Sequence, residues 1–216
     1  LTDDGVNLGY LGDAGYTETG ALAQSITENE VTYPVGTPVQ VMVEQPKFYY
    51  KVVPLVTEKI EGGKGHHLRK ARYYVSDTPK LGFKLHPAFI KNGEVLNRIY
   101  LSAYEGCLYD VSASAYNLID DQGGDFTATT GDKLSSIANA KPASGLTQNL
   151  TRSGARIVAQ NRGAGWEISY AATIAATQLL FAVEYGTFNT QTAIGMGVSK
   201  TDDGETNMSD PTGATS

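Results

Sequence analysis

RGAGWEISYAATIAATQLLFAVEYGTF (162–188) is the stretch on which the fold of this chain turns. Apolar side chains at Ile168, Ala171, Ala172, Ala175, Ala176, Leu179, Leu180 and Val183 recur at three- and four-residue spacing, and Ala and Leu favour the helical state. The spacing predicts a buried helix whose Ala-rich face lets another backbone approach closely. Gly186 ends it, because glycine tolerates the left-handed conformation of a helix C-terminus. Trp166, Leu179 and Leu180, framed by Gly163 and Gly186, are therefore expected to form structural core. Glu167 and Gln178 interrupt the apolar run, which is too short to cross a bilayer, so no membrane insertion is expected.

Upstream, Thr151 is a predicted N-cap for a second helix running to about Asn161 and closed by Gly163. Strand signals precede both helices. VQVMVEQPKFYYKVVPLV (39–56) is rich in Val and aromatics, with Pro46 and Pro54 confining it to edges or bends. After EGGKGHHLRK (61–70) come ARYYVSD, GFKLHPAFI and RIYLSAYEGCLYDV, each bounded by turn residues. Within KNGEV (91–95) an Asn-Gly pair joins two apolar runs and predicts a tight hairpin. The expected class is α+β: an antiparallel, sheet-rich part followed by two helices.

Five segments follow from composition: an N-terminal arm (1–37), a β-rich region (38–111), a polar surface connection (112–150), a helical part (151–198) and a loop or tail (199–216). The arm mixes Gly, Asp and Thr with isolated apolar residues. Leu8, Tyr10, Leu11, Tyr16, Leu22 and Ile26 are too apolar to stay wholly solvated, so the arm is expected to pack on a neighbouring chain or module. Beyond Gly186, TFNTQTAIGMGV reads as a loop and a short apolar strand.

A formal charge of −6 argues against a nucleic-acid partner, which requires clustered Lys and Arg. The one basic cluster, KGHHLRKAR (64–72), is expected to form a solvated hairpin tip. With 13 Tyr, the chain is well supplied with rings that pack on one side and stay wet on the other, a mild signal for contact surfaces. Cys107 is the single cysteine, which rules out an intrachain disulfide and leaves it as a small buried hydrophobe.

QVMVEQPKFYYK (40–51), GFKLHPAFIKNGEVLNRIYLSAYEG (82–106), DKLSSIANAKP (132–142) and TRSGARIVAQNRGAGW (151–166), together with the helix above, resemble a family of bacteriophage tail-associated proteins. The resemblance spans roughly residues 38–198 in order. It implies a β-rich part leading into a C-type-lectin-like domain of the kind shared with formylglycine-generating enzymes. It further implies a virion protein of the tail fibre or tail tip, its partners being other tail proteins and a bacterial surface receptor or glycan, in a homo-oligomer. Members of the family continue into a glycine- and tryptophan-rich segment not found before this sequence ends at SDPTGATS, so the lectin-like fold is expected to be incomplete. The enzymatic activity of the formylglycine-generating enzymes needs active-site cysteines and is not carried over, since Cys107 stands alone.

Candidate chemistry competes with plainer roles. Acidic clusters at Asp120, Asp121 and Asp125, and at Asp202, Asp203, Glu205 and Asp210, lack EF-hand spacing and read as solvated loops rather than calcium ligands. The three His residues match no zinc spacing, so no metal or cofactor is assigned. Glu105 and Asp110 could pair as glycosidase acids, but spacing along a sequence does not fix separation in space, and no catalytic residue is assigned. Trp166 is expected to anchor the packing of the two helices, Arg156, Arg162 and Glu184 to pair across them, and His86 in LHPAF to hold a turn. Candidate ligand-binding residues are Asn189, Thr190, Gln191, Asp202 and Asp203, held by the helix but lacking core composition. The expected function is a non-catalytic adhesin surface, with a receptor-free structural connector as the first alternative and a polysaccharide-degrading tail enzyme as the second.

Overall fold

Asn92 and Gly93 take positive φ, 53° and 85°, as a two-residue hairpin turn requires, and they join two short strands in the computed structural model of the chain. The structure describes residues 1–116, 123–143 and 148–195. In chain order its strands are β1 (Ile26–Glu28), β2 (Val31–Tyr33), β3 (Met42–Pro46), β4 (Tyr49–Lys59), β5 (His66–Ser76), β6 (Lys84–Leu85), β7 (Ile90–Lys91), β8 (Glu94–Val95), β9 (Arg98–Ser102), β10 (Cys107–Asp110), β11 (Ala115–Tyr116) and β12 (Lys133–Ser135). The helices are α1 (Arg152–Gln160), α2 (Ala171–Tyr185) and α3 (Thr190–Ile194), and a 3-10 turn spans Pro87–Phe89. Small antiparallel sheets and three helices among the described residues make the class α+β. The described residues divide into two compact units: Leu1–Val43 with Leu101–Ile168, and Glu44–Tyr100 with residues 169–195.

The first unit is built around the sheet β11-β10-β12. Cys107, Ile137 and Ala140 are buried together, with Tyr116 against them. Burial pushes the Cys107 thiol up to about 12, so it stays protonated and inert. Gly20 is obligatory beside this cluster: its φ is 84°, and a Cβ there would lie 2.5 Å from the Tyr116 hydroxyl oxygen. Thr151 caps α1, its hydroxyl accepting from the Gly154 N–H. The segment 132–140 corrects the expectation that 112–150 lies wholly on the surface. Asp132, Ser135, Ser136, Ile137, Ala138 and Ala140 are buried, because the serine hydroxyls find partners: Ser136 donates to the Val41 carbonyl, and its N–H to the Gln40 side chain.

Part of the N-terminal arm packs within its own unit. Leu8 and Leu22 are buried against Val39, with Val6, Ile26 and Tyr33 around them, so the chain itself covers much of its apolar surface. Tyr10 and Leu11 stay outside, Leu11 at 78% exposure. Arg162, only 4% exposed, donates from Nε to the Leu134 carbonyl at 2.7 Å, to the Ser135 hydroxyl, and to the Asp3 carboxylate, which also pairs with Lys133. It therefore pairs with the N-terminal segment and not across the helices. Trp166 lies beside the Arg162 guanidinium, 5.5 Å from the ring centroid, and donates to the Asp3 carbonyl, so it anchors that segment in place of a helix pair.

In the second unit, β4 lies between β5 and β6. Phe48, Ala88, Phe89 and Ala176 form its core, bordered by Tyr50, Val75, Leu85, Ile99, Leu179 and Leu180. His86 caps the 3-10 turn, its Nδ1 accepting from the Ala88 N–H, while its ring lies 5.0 Å from Phe48 and 5.3 Å from Tyr50. The turn predicted for His86 is thus formed. The basic run is not a tip: His66 to Arg72 lie within β5, and Ile60 to Gly65 make the turn.

α2 begins at Ala171, and Thr173 accepts from the Tyr170 N–H and donates to its carbonyl. Gly186 closes the helix in the left-handed conformation, φ 65° and ψ 16°. The expectation of a fully buried helix is corrected, since only Thr173, Ala176 and Ala182 are buried. Leu179 and Leu180 are half-buried at the edge of the Phe48 cluster, as are Trp166 and Gly163 in the other unit, and Gly186 is exposed. The unit supplies one narrow surface for α2 to cover, so the helix buries one stripe and leaves Ile174 and Ala175 outside.

Candidate binding surface

The outward side of α2 and the turn that follows it hold two pairs of rings in contact. Phe181 and Tyr185, one turn apart, stack with centroids 4.6 Å apart and planes at 25°. One residue past the cap glycine, Thr187 accepts at its hydroxyl from the Asn189 N–H. This closes a tight loop that carries Phe188 onto Tyr73 of β5, centroids 5.6 Å apart at 83°. Edge-to-face contact holds Phe188 in place while leaving it 66% exposed, and Tyr185 is 46% exposed. Ile174 continues the exposed apolar stripe up the helix.

The candidate residues Asn189, Thr190 and Gln191 adjoin these rings and are exposed. Asn189 is the N-cap of α3, its Oδ1 accepting from the Thr192 N–H, so that oxygen serves the fold. Within the stretch read as a loop and a strand, Thr190–Ile194 form the short helix α3, with Asn189 as its cap and Gly195 at its end, while residues 196–198 lie outside the described residues. Thr190 and Gln191 stand exposed in its first turn, two and three residues after Phe188. Asp202 and Asp203 lie outside the described residues, as do Asp120, Asp121, Glu205 and Asp210.

Tyr73, Phe181, Tyr185 and Phe188 were not legible as a group, since β5 and α2 are far apart in sequence. The Tyr-rich composition and an aromatic placed just beyond a cap glycine were the only signals.

Of the carboxylates considered for catalysis, Glu105 is exposed and Asp110 is occupied in a turn. Asp110 accepts from the Ser112 hydroxyl and the Ala113 N–H, which hold its carboxyl below the usual range. A lowered pKa disfavours the protonated form that a general acid must supply. Asp125, weighed as a calcium ligand, accepts from the hydroxyl and N–H of Thr127, which depress its pKa. Among the described residues no group of three or more His, Cys, Asp or Glu is arranged to hold a metal ion, and no helix is long and apolar enough to cross a membrane. Comparison with family models, curated proteins and solved structures finds no match to this chain.

Proposed function

We propose that this chain is a non-catalytic virion component of a bacteriophage tail fibre or tail tip, and that the ring-bearing end of α2 is its adhesin surface for a bacterial surface glycan. The placement in a phage tail is supported by the sequence resemblance across residues 38–198. The observation that carries the binding assignment is the exposed Phe188, fixed on Tyr73 beside the Phe181–Tyr185 stack and followed by Thr190 and Gln191. Aromatic faces stack on the C–H faces of sugar rings, and neighbouring hydroxyl and amide groups hydrogen-bond their hydroxyls.

Titrating purified protein against a panel of bacterial surface polysaccharides tests this. Binding to at least one, weakened about tenfold or more by combining Tyr185→Ala with Phe188→Ala, is the expected result. Binding unaffected by these changes overturns the assignment of the surface. Steady release of reducing sugar from a bound polysaccharide overturns the non-catalytic role.

The aliphatic continuation of the patch through Ile174 and Ala175 favours a second reading, a structural connector whose surface meets other tail proteins. Absence of any polysaccharide binding, together with failure of the free protein to block phage adsorption, selects the connector.

A further inference from the structure

β4 and β5 pair over 11 residues each, but β6 joins them only at Tyr49 and Tyr50, so the distal half of this hairpin is a two-stranded ribbon. From Pro54 to Lys59 and from His66 to Lys70 every residue is exposed. Leu55, Val56 and Leu68 are among them, at about half exposure. An isolated two-stranded ribbon is marginal in water, and apolar side chains on it indicate a surface that becomes covered. Register shifts on either side of Val56 leave Leu55 on β4 and Arg69 on β5 without a directly opposed residue, which bends and twists the ribbon. Pro54 withholds a backbone donor, so strand addition along β4 is disfavoured and side chains are left to make the contact.

Charge identifies what covers it. Residues 55–72 carry Lys59, Lys64, Arg69, Lys70 and Arg72 against Glu58 and Glu61, a net +3 within a chain of net −6. Residues 1–43 carry Asp3, Asp4, Asp13, Glu18, Glu28 and Glu30 with no Lys or Arg, a net −6. Asp3 is held by Lys133 and Arg162, but Glu28 and Glu30 are exposed at the β1–β2 turn next to the exposed Val31, and Tyr10 and Leu11 are exposed earlier in the same unit. Each surface is apolar, and the two are oppositely charged.

We infer that the distal β4–β5 ribbon of one copy docks on the acidic, apolar surface of residues 8–31 of a second copy. The two patches differ, so the contact is head-to-tail. This assembly does not depend on what the ring-bearing surface binds.

Sedimentation of the full chain over a range of concentrations, at about 0.05 M and about 0.5 M salt, tests it. Three charge-reversed forms are compared: Lys59→Glu with Lys70→Glu, Glu28→Lys with Glu30→Lys, and all four together. Trp166 fluorescence and circular dichroism report that each is folded. The expected result is concentration-dependent association that salt weakens, that each double variant weakens about tenfold or more, and that the fourfold variant restores. A monomer at every concentration overturns the inference and leaves the ribbon to a different acidic partner. Association indifferent to salt and to both double variants overturns it by placing the interface elsewhere, and loss without restoration overturns the pairing of these two surfaces.

Discussion

Trp166 donates its indole N–H to the main-chain carbonyl of Asp3 at 2.7 Å, while the Asp3 carboxylate pairs with the buried Arg162. The single tryptophan of the chain thus reports on whether the N-terminal segment is docked. Removing residues 1–5 should move its fluorescence emission to longer wavelength as the ring meets water. Asp3→Ala keeps the carbonyl but leaves the Arg162 guanidinium short of a partner, a loss of about 1–3 kcal/mol in urea unfolding. Emission unchanged by the truncation would show that Trp166 is shielded by something else.

The second unit's core should discriminate sharply between two apolar residues. Phe89 is fully buried, so Phe89→Ala should cost about 3–5 kcal/mol. Leu179 is only half-buried at the edge of the same cluster, and Leu179→Ala should cost less than about 2 kcal/mol. Equal costs in thermal or denaturant unfolding would mean that α2 is seated differently.

Burial among Phe48, Tyr50 and Phe89 holds the His86 pKa below its ordinary value, and its Nδ1 must remain unprotonated to accept from Ala88. The unfolded chain therefore takes up this proton more readily than the folded one. Stability due to His86 is complete above the unfolded pKa of about 6.5 and declines as pH falls from there toward the folded pKa. The midpoint of thermal unfolding should drop across that window, and His86→Asn, which keeps a capping acceptor without an imidazole, should flatten the drop. An identical profile in the variant assigns the acid sensitivity to other groups.

What the sequence made legible was local. Gly186, Thr151 and the Asn92-Gly93 turn act through the backbone within a few residues, so composition and spacing were enough to place them. Burial depends on what arrives from elsewhere, and there the reading failed. The Ala-rich α2 looked enclosed because its apolar residues surround the axis, yet the second unit offers it only the strip around Phe48 and Phe89. Ser135 and Ser136 read as surface residues because the backbone partners that satisfy their hydroxyls are not apparent from a polar run. Of the site, the residues after Gly186 were legible by position, whereas Tyr73 was not, since its contact with Phe188 joins β5 to the end of α2.

The first unit is assembled from both sides of a long insertion, with Leu1–Val43 separated from Leu101–Ile168 by the whole of Glu44–Tyr100. During synthesis on the ribosome, Asp3 emerges 159 residues ahead of Arg162, so it waits without that buried guanidinium and the indole of Trp166. Such distant pairings raise the contact order and slow folding, because loop closure must come before the contacts reward it. A chain arrested before Arg162 therefore lacks the guanidinium and the indole that complete the first unit around Asp3.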